Sequence, residues 1–441
     1  MCDVRPFRGL RYHLKETLDL SSVITPPYDV ISSEERLLYY NKSPYNMIRL
    51  EFGEEQPADS ETNNKYIRAA TTLDSWLKKG ILVKEKRPAF YLVEHCFPYE
   101  ETMQSRWGLI AKVKLEDLGT GRIKAHEKTL SEPSIDRFNL LKSCRANLSP
   151  VMGMIASRNG ELVQLLRELS SKKPGLSATD SYGVSYRLWV ITDNEAVTRI
   201  SGFFEDKVIY IADGHHRYET ALRYQNEQCA SDPSGSEDEP FNFVMMNLMD
   251  SQDPGLVMLP THRLVKSLKS KKDLEEKLSR YLVEEDTLPH LPTFSETIQS
   301  WLRTLRERKE QGTFFGIYGL RKQSFCLMRL RRDAEVEKLM SADETEQNLD
   351  VSLLHQVILK TALGIDSPDK ERMHLEYTRD ELEAVARVDS GECKLAFFLN
   401  PTPISNIIAA ADTGSRLPQK ATYFYPKTPA GLVINPLWED I

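Results

Sequence analysis

Asp213-Gly214-His215-His216-Arg217 places an acid, a glycine, two histidines and an arginine directly after the apolar run Val208-Ile209-Tyr210-Ile211-Ala212. The residues that follow, Tyr218-Glu219-Thr220-Ala221-Leu222, read as the start of a helix. A strand that ends in Asp-Gly and restarts as a helix aims backbone N–H groups and the positive end of the helix dipole at one spot, and His216 and Arg217 add side-chain donors there. Such a corner attracts phosphate. So much polarity on the end of a buried strand is costly without a ligand to satisfy it. Asp213 has two candidate roles: holding a divalent ion against phosphates, or orienting the glycine loop by capping the helix.

Two further stretches supply complementary chemistry. In Ala125-His126-Glu127-Lys128-Thr129 the glutamate is the residue type that takes a proton from an attacking hydroxyl, although the second histidine of a His-Glu-x-x-His zinc site is missing. The tail Leu417 to Lys427 is polar and aromatic, and its Lys420, Thr422 and Tyr423 make a small basic, hydroxylic surface suited to an anionic substrate. Thr261-His262-Arg263 extends that surface in this reading. Asp29, and Arg137 with Asn147, are additional polar candidates.

The elements that must position these residues alternate between strand and helix. Thr25-Pro26-Pro27-Tyr28-Asp29 is a rigid diproline loop, after which Ser32 or Ser33 can cap a helix that begins with Glu34-Glu35. Ile67, Ala70, Leu73, Trp76 and Leu77 recur at helical spacing over 65–79. Strands are expected at 89–93 and 107–113, joined by a hairpin, and at 151–156, 187–191 and 241–249, with the stretch 123–130 followed by a helix over 134–146. The charged stretch 231–240 reads as a surface loop. Beyond it, 266–309 is read as helical, 313–318 with 324–329 as a hairpin, 351–363 as a helix and 394–399 as a strand. The fold class expected is therefore mixed α+β, with an N-terminal domain over 1–250 and a C-terminal α+β domain over 251–441.

Bulk properties narrow the function classes. A chain of 441 residues is longer than one core usually supports. A net charge of −7 with mixed signs throughout argues against a nucleic-acid binder. No apolar run approaches the roughly 20 residues that span a bilayer, and no early stretch has a signal-peptide layout. A cytoplasmic protein without a membrane partner is expected. The six cysteines are scattered singly, with no Cys-x-x-Cys pair, which points to free thiols.

The opening Arg-Pro-Phe-Arg-Gly-Leu, the Thr-Pro-Pro-Tyr-Asp-Val-Ile-Ser loop, Asn147-Leu148-Ser149-Pro150, the Asp213 loop and Pro418-Gln419-Lys420-Ala421-Thr422-Tyr423-Phe424 together resemble a widespread prokaryotic family, domain of unknown function ten-fifteen. The Asp213 corner is also similar to the loop of ParB/sulfiredoxin-like proteins, most closely to the archaeal free serine kinases, which have an upstream His-Glu like His126-Glu127. That resemblance implies a ParB/sulfiredoxin-like nucleotide-binding core, a C-terminal domain on the substrate side and a cleft between them. It implies Glu127 as general base, Asp213 as a catalytic or metal-proximal acid, and His126, Gly214, His215, His216 and Arg217 around the phosphates, with His216 also catalytic. Lys420 and Thr422 would hold the substrate's anionic group. His215 stands where sulfiredoxin has its catalytic cysteine, so the reductase chemistry does not carry over.

The reading that results is a phosphotransferase: a kinase that uses ATP or ADP with Mg2+ to phosphorylate the hydroxyl of free serine or a related metabolite. Its rivals are a nucleotide-binding regulatory module without turnover and a metal-dependent hydrolase built on His126, Glu127, Asp213, His215 and His216. The sequence leaves the oligomeric state open.

Overall fold

The computed structural model describes all residues except 14–18, 120, 128–130, 181, 267–270, 289–292, 322–323, 341–346, 348 and 439–441. Parts of the stretch 123–130, including Lys128 and Thr129, and of the expected helical region 266–309 therefore lie outside the described residues. The architecture is mixed α+β, with several sheets. It divides into two compact units, neither of them a single stretch of chain. The first comprises 1–125, 129–257 and 424–441; the second comprises 126–128 and 258–423. The His126-Glu127 segment groups with the later residues and the tail from Phe424 with the earlier ones.

The first unit is organised by a nine-stranded sheet. Eight of its strands follow the order Ile123–Lys124, Ile209–Asp213, Val151–Ile155, Phe243–Asp250, Thr102–Lys114, Phe90–Tyr99, Ser185–Ile191 and Leu176–Thr179, and Val4–Arg5 pairs with Thr102–Lys114. Phe90 and Leu92 enter one apolar cluster, while Tyr91 and Val93 enter another. A sheet packed on both faces has strands that read as unbroken apolar runs rather than alternating ones. All eight residues of Phe243–Asp250 are accordingly buried.

Two helices frame the corner region. Lys65–Lys78 starts at Asn64, whose side chain accepts from the N–H groups of Tyr66 and Ile67, and it buries Ala69, Leu73 and Trp76. The helix His215–Ser231 meets Ser131–Cys144 through Tyr224, Phe138 and Leu141, which share one apolar cluster. Upstream, Ser32 and Glu35 form a reciprocal capping box at Ser33–Lys42.

In the second unit a six-stranded sheet runs Leu282–Leu288, Phe325–Leu330, Phe314–Tyr318, Leu395–Phe398, His262–Val265 and Leu375–Thr378, with every neighbouring pair antiparallel. The helical reading of 266–309 needs correction: Lys271–Tyr281 and Phe294–Glu307 are helices, but Leu282–Leu288 is a strand. Its pairing with Phe325–Leu330 outweighs the local helical pattern, since β preference depends on cross-strand neighbours rather than on the segment alone. The helix expected at 351–363 begins as α-helix over Asp350–Leu353 and continues as π-helix over Leu354–Ala362. Among the described residues no helix is long and apolar enough to cross a membrane. All six cysteines are free thiols.

Candidate functional site

The corner at Asp213 is built by a strand, a bulge and a glycine. Ile209–Asp213 pairs antiparallel with Val151–Ile155, and the register shifts between Ile211 and Asp213. A bulge re-aims the residue that follows it. Gly214 then takes φ +87, in the left-handed region where only glycine is unstrained, and the 17-residue helix His215–Ser231 begins with no side-chain cap. Its first turn contains no acidic residue. The amide groups of that turn and the helix dipole make the positive end expected from the sequence.

The charges around the corner are tightly paired within the first unit. One Asp213 oxygen accepts from Arg217 Nη2 at 2.8 Å and the other from Lys427 Nζ. The side chains of Asp213 and Lys427 are 14% and 6% exposed. Burial pushes the Asp213 carboxyl up, but Lys427 and Arg217 outweigh it and hold the group well below the usual carboxylate range. Arg217 Nη1 also donates to the Pro150 carbonyl at 2.6 Å and to Ser149 Oγ at 3.2 Å.

The network continues inward. Ser149 Oγ donates to Glu51 Oε1 at 2.8 Å, and Arg137 Nη1 donates to the Glu51 carbonyl at 2.8 Å. The Arg137 guanidinium pairs with Asp136 and lies over the Tyr28 ring, 3.9 Å from its centroid. Lys65 closes the series against Asp136 at 2.7 Å. A cavity of about 40 Å³, bordered by Glu51, Arg137, Ser149, Arg217 and Thr220, lies in this network. Three of the sequence motifs thus meet here: the diproline loop through Tyr28, Asn-Leu-Ser-Pro through Ser149 and Pro150, and the Asp213 corner through Arg217. His216 Nδ1 lies 3.2 Å from Ser134 Oγ, and His215 is 5% exposed.

A separate cluster forms in the second unit. Glu127 makes a parallel bridge with Leu417, and the Leu417 N–H donates to the His126 carbonyl at 2.7 Å. The Lys420 N–H donates to Glu127 Oε1 at 3.2 Å, and His126 Nε2 is 3.3 Å from Thr422 Oγ1. Lys420 itself has φ +56. Its carbonyl accepts from Arg263 Nη2 at 3.0 Å, and Thr402 Oγ1 donates to the Ala421 carbonyl at 3.0 Å. Arg379 lies 3.9 Å over the Tyr423 ring. The His-Glu dipeptide and the 417–423 loop, almost 300 residues apart in the chain, are neighbours.

The other expected site residues have the following surroundings. His262 is fully buried, with its ring 4.8 Å from that of Phe398, Nδ1 accepting from Leu399 N–H at 3.4 Å and Nε2 3.6 Å from Glu381. Arg263 is 4% exposed and donates to the carbonyls of Thr261, Gln419 and Lys420, which shapes the loop. His126, expected beside the phosphates, is fully buried against Thr422. Arg217 supports the corner from beneath through Asp213, Ser149 and Pro150.

The metal role of Asp213 does not fit its surroundings, since each of its oxygens already faces a cation. Among the described residues there is no group of three or more His, Cys, Asp or Glu side chains able to hold a metal ion. The important residues that sequence reasoning passed over are Lys427, Glu51 and Ser149. Lys427 and Ser149 sit inside motifs that the sequence does display; nothing about Glu51 marks it out.

Residues 4–352 match the model of the family described as "Protein of unknown function (DUF1015)". No curated protein matches. Among solved structures, the chain is similar to a conserved hypothetical protein from Pyrococcus furiosus, with 14% identity, TM-score 0.34, and 70% of this chain and 90% of that one covered. It is similar also to a free serine kinase in complex with AMP, at 12% identity and TM-score 0.35 over 74% and 91% of the two chains. SbnI with a C-terminal truncation, from Staphylococcus aureus, gives 9% identity and TM-score 0.35 over 74% and 87%. With most of its length matched to the one family model, the chain belongs to the DUF1015 family.

Proposed function

We propose that this protein is a nucleotide-dependent small-molecule kinase that transfers a phosphoryl group from ATP or ADP to the hydroxyl of free serine or a related hydroxylated metabolite. The observation that carries the reading is the start of the helix at Gly214-His215, with a glycine at the N-cap, free of acidic residues in its first turn and underlain by Arg217 and Lys427. Phosphoryl transfer depends mostly on positioning and charge stabilisation, and such a helix start supplies both to an anionic phosphate. In this reading the first unit has a ParB/sulfiredoxin-like core, as its corner motif suggests.

Each residue then has a defined task. The first-turn amides of His215, His216 and Arg217 bind phosphate oxygens, and the His216 imidazole donates to the transferring group. Asp213 does not meet the nucleotide; it fixes Arg217 and Lys427 beneath the corner. Glu127, oriented by the Lys420 N–H, takes the proton of the acceptor hydroxyl. Thr422, the Lys420 ammonium and Tyr423 bind the acceptor's polar groups. Because the Asp213 carboxylate does not suit a divalent ion, no step is assigned to one.

The test is to incubate purified protein with ATP or ADP, magnesium and a panel of hydroxylated metabolites that includes L-serine, and to seek a phosphorylated product by mass spectrometry. Glu127→Gln should abolish product and spare nucleotide affinity. Near-normal turnover by that variant refutes the assigned base. Tight nucleotide binding whose consumption no metabolite accelerates would replace the kinase by a regulatory module.

A further inference from the structure

The second unit contains a cavity that the proposed chemistry does not use. It has a volume of about 260 Å³ and is bordered by the 309–313 turn, Arg332, the 349–350 segment and the loop 400–406 that follows the strand Leu395–Phe398. Pockets for drug-sized ligands run from about 300 to 1,000 Å³, so this one suits a small metabolite. Its lining is polar and carries both signs of charge. Lys309 and Arg332 are exposed cations, whereas Thr313, Asn400 and Thr402 are buried.

The lining has two anionic members, Asp350 and the exposed Glu310. Burial pushes the Asp350 carboxyl up to about 6, against the opposing pull of Lys309 and Arg332. Arg332 Nη2 donates to Thr313 Oγ1 at 3.2 Å, which fixes the guanidinium at one side of the opening. A purely anionic ligand would satisfy the two cations and be repelled by Asp350 and Glu310; a purely cationic one would meet the reverse. A compact molecule with a carboxylate at one end and an ammonium close by matches both signs.

We propose that this cavity is a binding site for a small zwitterion of the α-amino acid class, its carboxylate held by Lys309 and Arg332 and its ammonium by Asp350. Asn400 and Thr402 supply further polar contacts at the buried side. Thr402 also donates to the Ala421 carbonyl, two residues from Tyr423. Occupancy therefore bears on the conformation of the 417–423 loop. The binding itself does not depend on the kinase reading.

The experiment is calorimetric titration of the whole protein with the twenty amino acids, each with its decarboxylated amine and its deaminated acid, for wild type, Asp350→Asn, Arg332→Gln and Glu127→Gln. At least one amino acid should bind at least tenfold more tightly than its amine or its acid. Asp350→Asn and Arg332→Gln should each weaken it tenfold or more, with melting temperatures near wild type, and Glu127→Gln should leave it unchanged. Binding should also strengthen from pH 5 to pH 7 in wild type and lose that dependence in Asp350→Asn. No amino-acid binding, equal binding of the bare acid, or loss in Glu127→Gln without loss in Asp350→Asn would overturn the site. The Glu127→Gln arm separates this outcome from failure of the kinase.

Discussion

At the Asp213 corner each carboxylate oxygen meets a side-chain cation, whereas Glu127 in the second unit accepts from the backbone N–H of an exposed loop residue. The difference sets the acid that holds the corner together apart from the one proposed as base. A buried carboxylate clamped by Lys427 and Arg217 stays ionised and stationary, so it serves as scaffolding for the corner. Glu127, the proposed base, is instead oriented by the Lys420 N–H in an exposed loop. From the sequence, Glu127 is read as the general base and Asp213 as a catalytic or metal-proximal acid.

Four measurements break or sharpen this comparison. The largest effect is expected on stability from Asp213→Ala, which leaves the Lys427 and Arg217 side chains, 6% and 11% exposed, without their anion. Removing one partner of a buried pair costs about 3–5 kcal/mol, to be read by urea unfolding. A loss under about 1 kcal/mol would show the corner to be far more plastic than its bonding suggests. Glu127→Gln should do the opposite: a fall in product formation of about 10²–10⁴-fold, with an unfolding midpoint close to wild type.

Acid sensitivity comes next. Burial raises the Asp136 carboxyl, but Arg137 and Lys65 prevail and hold it at about 2. Its ordinary value is about 3.9, so the folded form has the lower pKa; the stabilisation, about 2 kcal/mol, is complete above that value and disappears as pH falls through 2. An unfolding titration from pH 5 to pH 2 should be shallower in Asp136→Asn than in wild type, and identical slopes would remove Asp136 from the network. The smallest effect, about 1–2 kcal/mol, is expected of Ser149→Ala, which cuts the link between Arg217 and Glu51. Double-mutant analysis with Arg217→Met tests whether the link is energetic: additive losses would mean that it is not.

Much of the local structure was legible. The strand-to-helix corner, the Asn64-capped helix, the Ser32 cap and the 314–330 hairpin each follow from residues within a dozen positions of one another. The strand Leu282–Leu288 was not, because it borders a helix and gains its identity from Phe325–Leu330. The burial of His262 and Arg263 was not legible for a related reason: a His-Arg pair looks the same in a sequence whether it faces solvent or the Phe398 ring. Lys420 was chosen over Lys427 because both sit in one basic tail and only contact tells them apart.

By itself the sequence determined the periods, turns and caps, and with them the existence of a glycine corner that opens a helix, since those depend on φ preferences and side-chain size at consecutive positions. Only the tertiary structure decided that Lys427 neutralises Asp213 across 214 residues, that Ser149 joins Arg217 to Glu51, and that His126 and Glu127 belong with the 417–423 loop. The physical reason is that the strength of a charge pairing depends on how far the whole fold removes it from water, and no short stretch of chain contains that information.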